Sequence, residues 1–311
     1  AAQCRPRILD EISPLLLHPE PRDYHVTAEI TDQDVQFYHD NGYLVVPGLA
    51  SADDVEALRA DTLRICRGEY PHPNLEPLSP ELSDDEVMRN FLCIHHPHKI
   101  SPVLMERGVQ HPGLATVLQR IIGPDVKCMQ SMLFVKPPGF QGQAWHQDEI
   151  YIPTRDRSLT GGWIALDDAT IENGCLYVIP GSNKWPLYDQ RSHDNPDEFD
   201  FAGESHGFDE SGEIPVEVKA GDAVFFNGYL LHRSRRNRSQ VYRRVLVNHY
   251  MNAWSLLPWQ MQEGQTAATA DYRDIVMVSG HDPYAWRGLE DRAGVGLRKC
   301  KALDEADVQQ A

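Results

Sequence analysis

Two hydrophobic periods divide the chain. Before residue 125 apolar positions recur at helical spacing; from Val126 onward they fall in short extended runs. Thr31-Asp32-Gln33-Asp34 predicts a helix start, with a hydroxyl to accept from first-turn amides and an acid three positions on. Val35, Phe37 and Tyr38 follow, and Asn41-Gly42 stops the helix. Tyr43 to Gly48 reads as a short strand closed by a turn. Ser51-Ala52-Asp53-Asp54 caps a second helix, with Val55, Leu58, Leu63 and Ile65 on its apolar side. Residues 69 to 90, rich in proline and acids, read as a loop. Gln110 to Ile122 reads as a helix with Leu114, Val117, Leu118 and Ile121 along one face, ended by Gly123-Pro124.

The second half predicts strands. Val126 to Lys136 is extended and is stopped by Pro137-Pro138-Gly139. His146 to Tyr151, Gly162 to Ala169 and, after an Asn173-Gly174 turn, Cys175 to Ile179 follow. Ile214 to Val218, Ala223 to Asn227, a run around His232 and Arg243 to Tyr250 complete the set. Short strands without intervening helices predict an antiparallel sandwich or barrel. The expected organisation is one domain over residues 1–311, with an arm (1–30), a mostly helical part (31–125), a β core (126–252) and a C-terminal extension (253–311). A loop at 184–213 breaks the strand rhythm. From Asp189 to Glu213 it holds nine acids against one cation, Arg191. A loop of that length is a solvated insertion or a lid, and as a lid its charge would favour a cationic or zwitterionic substrate.

Charge narrows the partners. Lys and Arg number 29 and Asp and Glu 46, a net charge of −17. A field of that sign opposes nucleic acid and anionic membranes, and weighs against a polyanion such as a coenzyme A thioester. No apolar run approaches the roughly 18 residues of a bilayer span. Six cysteines (Cys4, Cys66, Cys93, Cys128, Cys175, Cys300) form no regular framework. They read as free thiols in a reducing compartment, taken to be the cytoplasm.

The chemistry centres on His146-Gln147-Asp148. On a strand, residues i and i+2 share a face, so the imidazole and the carboxylate would enter one cavity. They are two thirds of a 2-His-1-carboxylate set, which binds Fe(II) and leaves positions open. His232 is the candidate third ligand, and Ser234 shares its face. Against this stands the bland reading of a surface His and a turn Asp. Arg243, one strand further on, suits the far carboxylate of a 2-oxo acid, which a guanidinium grips with two charge-assisted bonds. Its bland reading is a surface charge beside Arg244, in a stretch that also holds Arg233, Arg235, Arg236 and Arg238. His95, His96 and His98, crowded around Pro97, read as solvent- or substrate-facing rather than as ligands.

His146-Gln147-Asp148, Trp163-Ile164-Ala165-Leu166, Glu172-Asn173-Gly174-Cys175-Leu176 and Pro180-Gly181-Ser182 occur in that order. They are followed by His232-x-Ser234-x-x-Asn237-x-Ser239 and Arg243. With these motifs the chain resembles the phytanoyl-CoA dioxygenase family of Fe(II)/2-oxoglutarate oxygenases, which includes ectoine hydroxylase, over about residues 31–252. The resemblance implies a mainly β fold with flanking helices and a double-stranded β-helix (jelly-roll) core. It implies His146, Asp148 and His232 as iron ligands and Arg243 as the 2-oxoglutarate anchor. Met132, Trp163 and Ser234 would line the cosubstrate pocket. Gln147 and Tyr151 would lie near the metal, with His95 or Lys99 reaching the same cavity. Halogenating relatives carry a small residue where this chain has Asp148. The implied reaction is therefore O2-dependent hydroxylation of an unactivated C–H bond of a small molecule, with release of succinate and CO2. Two rivals remain at this point, a non-catalytic jelly-roll binding module and a zinc hydrolase, since two His and one Asp also suit zinc. No sequence feature sets an oligomeric state.

Overall fold

The computed structural model describes residues 30–200, 202–258 and 271–299. The expected N-terminal arm up to residue 29, and residues 259–270 and 300–311 of the C-terminal extension, lie outside the described residues.

Helix α1 (Asp32–Asn41) opens on a reciprocal cap, Thr31 Oγ1 accepting from the Asp34 amide and the Asp34 carboxylate from the Thr31 amide. It closes on Gly42, whose φ of 81° is left-handed and suits glycine. α2 (Ala52–Cys66) repeats the device with Ser51 and Asp54. A third such box, Ser83 with Glu86, starts α3 (Asp84–Met88) inside the stretch expected to be a loop. Its single turn was hidden by the prolines before it. A turn α4 (Pro102–Leu104) leads to α5 (Pro112–Ile121), which starts at proline, later than the apolar spacing suggests.

Among the described residues thirteen strands follow in order: β1 (Tyr43–Val46), β2 (Phe91–His95), β3 (Val126–Phe134), β4 (Thr160–Ala165), β5 (Leu176–Val178), β6 (Gln190–Arg191), β7 (Glu204–Ser205), β8 (Ile214–Val216), β9 (Ala223–Asn227), β10 (His232–Ser234), β11 (Val245–Asn252), β12 (Val276–Ser279) and β13 (Gly296–Lys299). The large antiparallel sheet runs β1-β9-β4-β11-β3-β2-β13, with β12 also paired to β3. A small sheet, β10-β5-β8, faces it. The large sheet therefore reaches beyond residues 126–252, recruiting β1 and β2 from the helical part and β12 and β13 from the extension.

The period of two decides which side chain goes where. Leu44, Val46, Leu133, Ile164, Phe225, Leu246 and Tyr250 point outward and pack with Leu58, Ile65, Leu114 and Leu118 of the helices. Their neighbours Met132, Trp163, Ala165, Val224, Phe226, Val245 and Val247 point inward and meet Leu176, Tyr177 and Val178 of the small sheet. The result is the expected jelly roll: two facing sheets, helices on one outer face, and no closed barrel. The functional cavity lies between the sheets.

The acidic loop is bound to the body. Its Glu198 pairs with Arg238, Glu210 with Arg233, and Glu213 with Arg233 and Arg235. Phe199 bridges to Gly142, and the Gly142 amide donates to the Glu198 carbonyl at 2.8 Å. A Cβ on Gly142 would fall on the Ser234 carbonyl and the backbone beside it. Gly142→Ala is therefore expected to destabilise the fold by about 1–3 kcal/mol, whereas at Gly212 an added Cβ would only touch Ile179 Cγ2 at 3.9 Å. Denaturant unfolding of the two alanine variants checks this; equal stability would refute it.

Candidate active site

His146 and His232 face each other across an isolated antiparallel bridge. The His146 amide donates to the His232 carbonyl at 3.0 Å, and the His232 amide returns the bond at 3.1 Å. Their rings consequently lie side by side, with centroids 4.1 Å apart. Each ring is held by its own backbone: His146 Nδ1 lies 2.8 Å from the Ala144 carbonyl and His232 Nδ1 lies 3.0 Å from that of Leu230. A carbonyl only accepts, so Nδ1 carries the proton and Nε2 presents a bare lone pair on each ring. Asp148 is not on a strand as expected; it is the first residue of a 3-10 turn, Asp148–Ile150. The turn still delivers its carboxylate to the two rings, Oδ1 lying 3.7 Å from both Nε2 atoms.

The donors suit a divalent ion. The three ligand atoms lie within 4.8 Å of one another and all three residues are buried. Separations of 3.7 Å are too long for hydrogen bonds, yet within the span of donors each about 2 Å from a shared ion. Burial holds the His146 imidazole down to about 4, with His232 adding to the effect, so it stays neutral at physiological pH. Burial alone would raise the Asp148 carboxyl, but His232, His249 and His146 together bring it well below the usual carboxylate range. A neutral His146 imidazole and an ionised Asp148 carboxylate are the protonation states that a metal requires of these two ligands.

A cavity of about 440 Å³ opens beside them and runs to Arg243. Arg243 is buried, and no carboxylate pairs with it among the described residues; its Nε has no hydrogen-bond partner. Burial lowers its pKa to about 10. Neighbouring Arg244 is the committed one, held by Asp167 through Nε and Nη2, both at 2.8 Å. That difference answers the surface-charge reading of Arg243. Trp163, Met132 and Ser234 line the same cavity, with Leu176, Phe134 and Val247 making its apolar wall. A buried guanidinium without a counter-charge, in an apolar slot leading to the metal donors, fits the far carboxylate of a 2-oxo acid.

The remaining sequence candidates divide. His95 and Tyr151 line the cavity. Gln147 does not. Its amide donates to the carbonyls of Pro186 and Tyr229 and accepts from the Tyr188 amide, so it is wholly engaged in holding the following loop. Lys99 does not reach the cavity either, because its ammonium is drawn to Asp274 and Asp291 at 2.6 and 2.7 Å. His98 is bonded to buried Ser131, and His96 is buried with no ligand partner beside it.

Three cavity residues went unread. Lys136, one step before Pro137, is fully buried and donates to the carbonyls of Gly174 and Arg235 and to Ser234 Oγ. Burial and nearby Arg243 press its pKa far down. His249 bonds Asp148 Oδ2 through Nε2 at 3.1 Å. The period of two on β11 could have found it, since Val245, Val247 and His249 share a face and Arg243 enters the same cavity just before the strand begins. Asp200, one of the loop acids, enters the cavity within 3.7 Å of Arg298.

Comparison with known proteins agrees with this geometry. The family model described as Phytanoyl-CoA dioxygenase (PhyH) matches residues 38–245. "Phytanoyl-CoA dioxygenase 1" of Oryza sativa subsp. japonica is 32% identical over 268 residues, covering 75% of this chain and 94% of the relative. "Phytanoyl-CoA dioxygenase, peroxisomal" of Rattus norvegicus is 29% identical over 256 residues, 76% of this chain and 73% of the relative. Among solved structures, the non-heme alpha ketoglutarate dependent carbocyclase SnoK superposes with a TM-score of 0.57 at 26% identity, covering 76% of this chain and 89% of its own.

Two outcomes follow. Asp148→Ala and His232→Ala should each weaken Fe(II) or Co(II) binding by at least about tenfold, read by metal content after gel filtration. Burial holds His95, His96 and His98 to about 4, whereas in the unfolded chain they protonate near the ordinary value of about 6.5. Stability is therefore fully present above pH 6.5 and is lost as pH falls toward 4, because the unfolded state then binds the extra protons. Calorimetric melting of the metal-free protein across that window should show a falling midpoint, and a flat profile would contradict the burial argument.

Proposed function

The chain belongs to the phytanoyl-CoA dioxygenase family and is an Fe(II)- and 2-oxoglutarate-dependent dioxygenase, and from that premise we propose that it hydroxylates an unactivated C–H bond of a free small molecule. The observation that carries the residue assignment is the pairing of a His-Asp-His donor set with an unpaired buried guanidinium at the far end of one cavity.

In this reading His146, Asp148 and His232 hold the metal on one face. When bound, the metal would allow O2 to act as the oxidant, with the 2-oxo acid giving two electrons as it leaves as succinate and CO2. The chain's own residues bind, orient and shield. Arg243 grips the far carboxylate, and Ser234 adds a hydroxyl next to it. Lys136 stands behind Ser234, its Nζ donating to the Ser234 hydroxyl at 3.4 Å. Trp163, Phe134, Leu176 and Val247 close the slot against water, which strengthens the charge pairing inside it. A zinc hydrolase or a non-catalytic module has no use for such an anchor.

Charge at the mouth supports a free small molecule over a coenzyme A thioester. The arginines near the mouth, Arg233, Arg235 and Arg238, are already neutralised by Glu210, Glu213 and Glu198. Asp200 and the side chains of Gln143 and Gln190 face the cavity. A 3′-phosphate and a diphosphate would meet mostly neutralised arginines there; Arg236, whose side chain donates to the Asp197 carbonyl and to no carboxylate, is the exception among the described residues of this stretch. Cys66, Cys93, Cys128 and Cys175 are buried thiols outside any disulfide, in keeping with a reducing compartment. The cytoplasm is the placement we favour; the rat relative is named peroxisomal, and imaging of a tagged full-length chain distinguishes the two.

Arg243→Ala should retain the metal and lose 2-oxoglutarate affinity by at least about thirtyfold, the effect of removing one partner of a buried charge pair. Anaerobic titration of the metal-loaded protein reads it, and unchanged affinity would move the anchor elsewhere. Aerobic incubation with Fe(II) and labelled 2-oxoglutarate should release CO2. Hydrolysis supported by zinc, with no CO2 release on any substrate, would favour the hydrolase.

A further inference from the structure

The two oxygens of Asp148 have different surroundings. Oδ1 faces both imidazole Nε2 atoms at 3.7 Å. Oδ2 faces His249 Nε2 at 3.1 Å. His249 is buried on β11, where it pairs with Gln130 of β3 and Gly161 of β4. The pairing with β3 slips between His249 and Tyr250, the kind of bulge that re-aims a side chain beside a site. His249 Nδ1 is buried with no hydrogen-bond partner among the described residues. With the carboxylate ionised, only a protonated Nε2 makes a favourable contact with Oδ2, which fixes the tautomer and leaves Nδ1 as a bare lone pair.

We propose that His249 is a positioning residue that occupies Oδ2 and so commits Asp148 to the metal through Oδ1 alone. The proposal rests on the assignment of Asp148 as a metal ligand. Its consequence is a matter of counting. A carboxylate can bind a cation through one oxygen or two, and a second Asp148 oxygen on the ion would take a position that a chelating 2-oxo acid or O2 needs. The bond from His249 holds that oxygen away, so the carboxylate contributes one donor and the open face keeps its three places. One short segment then governs both ends of the cosubstrate: Arg243, two residues before β11, its tail, and His249 on β11 the vacancy for its chelating head.

The test uses the full chain loaded with Co(II), whose visible spectrum reports coordination number. His249→Phe, close to histidine in volume, and His249→Leu remove the donor; His249→Gln retains an amide N–H within reach. The two apolar variants should bind Co(II) at least as tightly as wild type and show the spectrum of a more crowded ion. They should bind 2-oxoglutarate at least tenfold more weakly, and His249→Gln should recover most of that loss. A merely structural role predicts instead that metal and cosubstrate affinities fall together with the melting temperature, and that pattern would overturn the proposal. So would a wild-type Co(II) spectrum and wild-type 2-oxoglutarate affinity in either apolar variant, or failure of His249→Gln to rescue while remaining folded. If Asp148→Ala bound Co(II) like wild type, the ligand assignment would fall first and this proposal with it.

Discussion

The site depends on one exchanged pair of backbone hydrogen bonds, between His146 and His232. Residues directly opposite in an antiparallel pair point their side chains to the same side, a few ångströms apart. This single bridge therefore brings two imidazoles from distant parts of the chain to one place, before any metal is considered. The Nδ1 contacts to Ala144 and Leu230 then turn both lone pairs the same way. Asp148 joins them because the chain leaves the bridge in a 3-10 turn immediately after Gln147, whose amide pins the turn to Pro186, Tyr188 and Tyr229. Gln147 is thus important to the site without facing it.

Charge is distributed in a way that isolates the chemistry. Around the cavity Arg233, Arg235, Arg238 and Arg244 are matched with acids, from the loop or from Asp167. Inside it, Arg243 and Lys136 are buried with no carboxylate beside them among the described residues. An unpaired buried cation is destabilising by several kcal/mol, so a fold selected for stability alone would replace or neutralise Arg243, whereas Lys136 spends its donors on two carbonyls and the Ser234 hydroxyl. The persistence of Arg243 next to bare imidazole lone pairs marks the places where local rules give way to function. The guanidinium and the imidazoles lack the partners that a dianionic cosubstrate and a cation would supply.

The elements could be read from the sequence wherever one period dominated. The reciprocal caps at Thr31 and Ser51, the apolar stripe of α5 and the alternation along β3 and β11 are all local signals, and local signals survive in sequence. The triad and Arg243 could be read because spacing and residue type coincide. Three things were not legible. Ser83 and Glu86 carry a cap too short to show as a period. Gln147 and Lys99 are near the site in sequence, but their partners, Tyr229 and Asp274, are distant residues that redirect them. His249 and Lys136 owe their importance to neighbours on other strands, and no spacing rule reports which oxygen of Asp148 is left over.

The division of labour between sheet and loop explains why the family is plain and the substrate is not. The proposed metal donors and His249 sit on β10, β11, the His146 bridge and the 3-10 turn after it, and the proposed anchor Arg243 sits two residues before β11, where small errors in geometry are costly. The opposite wall comes from the loop between η-turn Ser182–Lys184 and β8, through Gln190, Asp200, Ala202 and Gly203. That wall is tied to the body by ion pairs between side chains and by a short backbone bridge from Phe199 to Gly142, not by a long ladder. Side-chain pairs tolerate substitution more readily than a sheet register does, so the wall can change its shape and charge while the geometry of the donor set stays fixed. Specificity can therefore vary within this architecture at the loop, where Asp200 adds a carboxylate to the cavity wall.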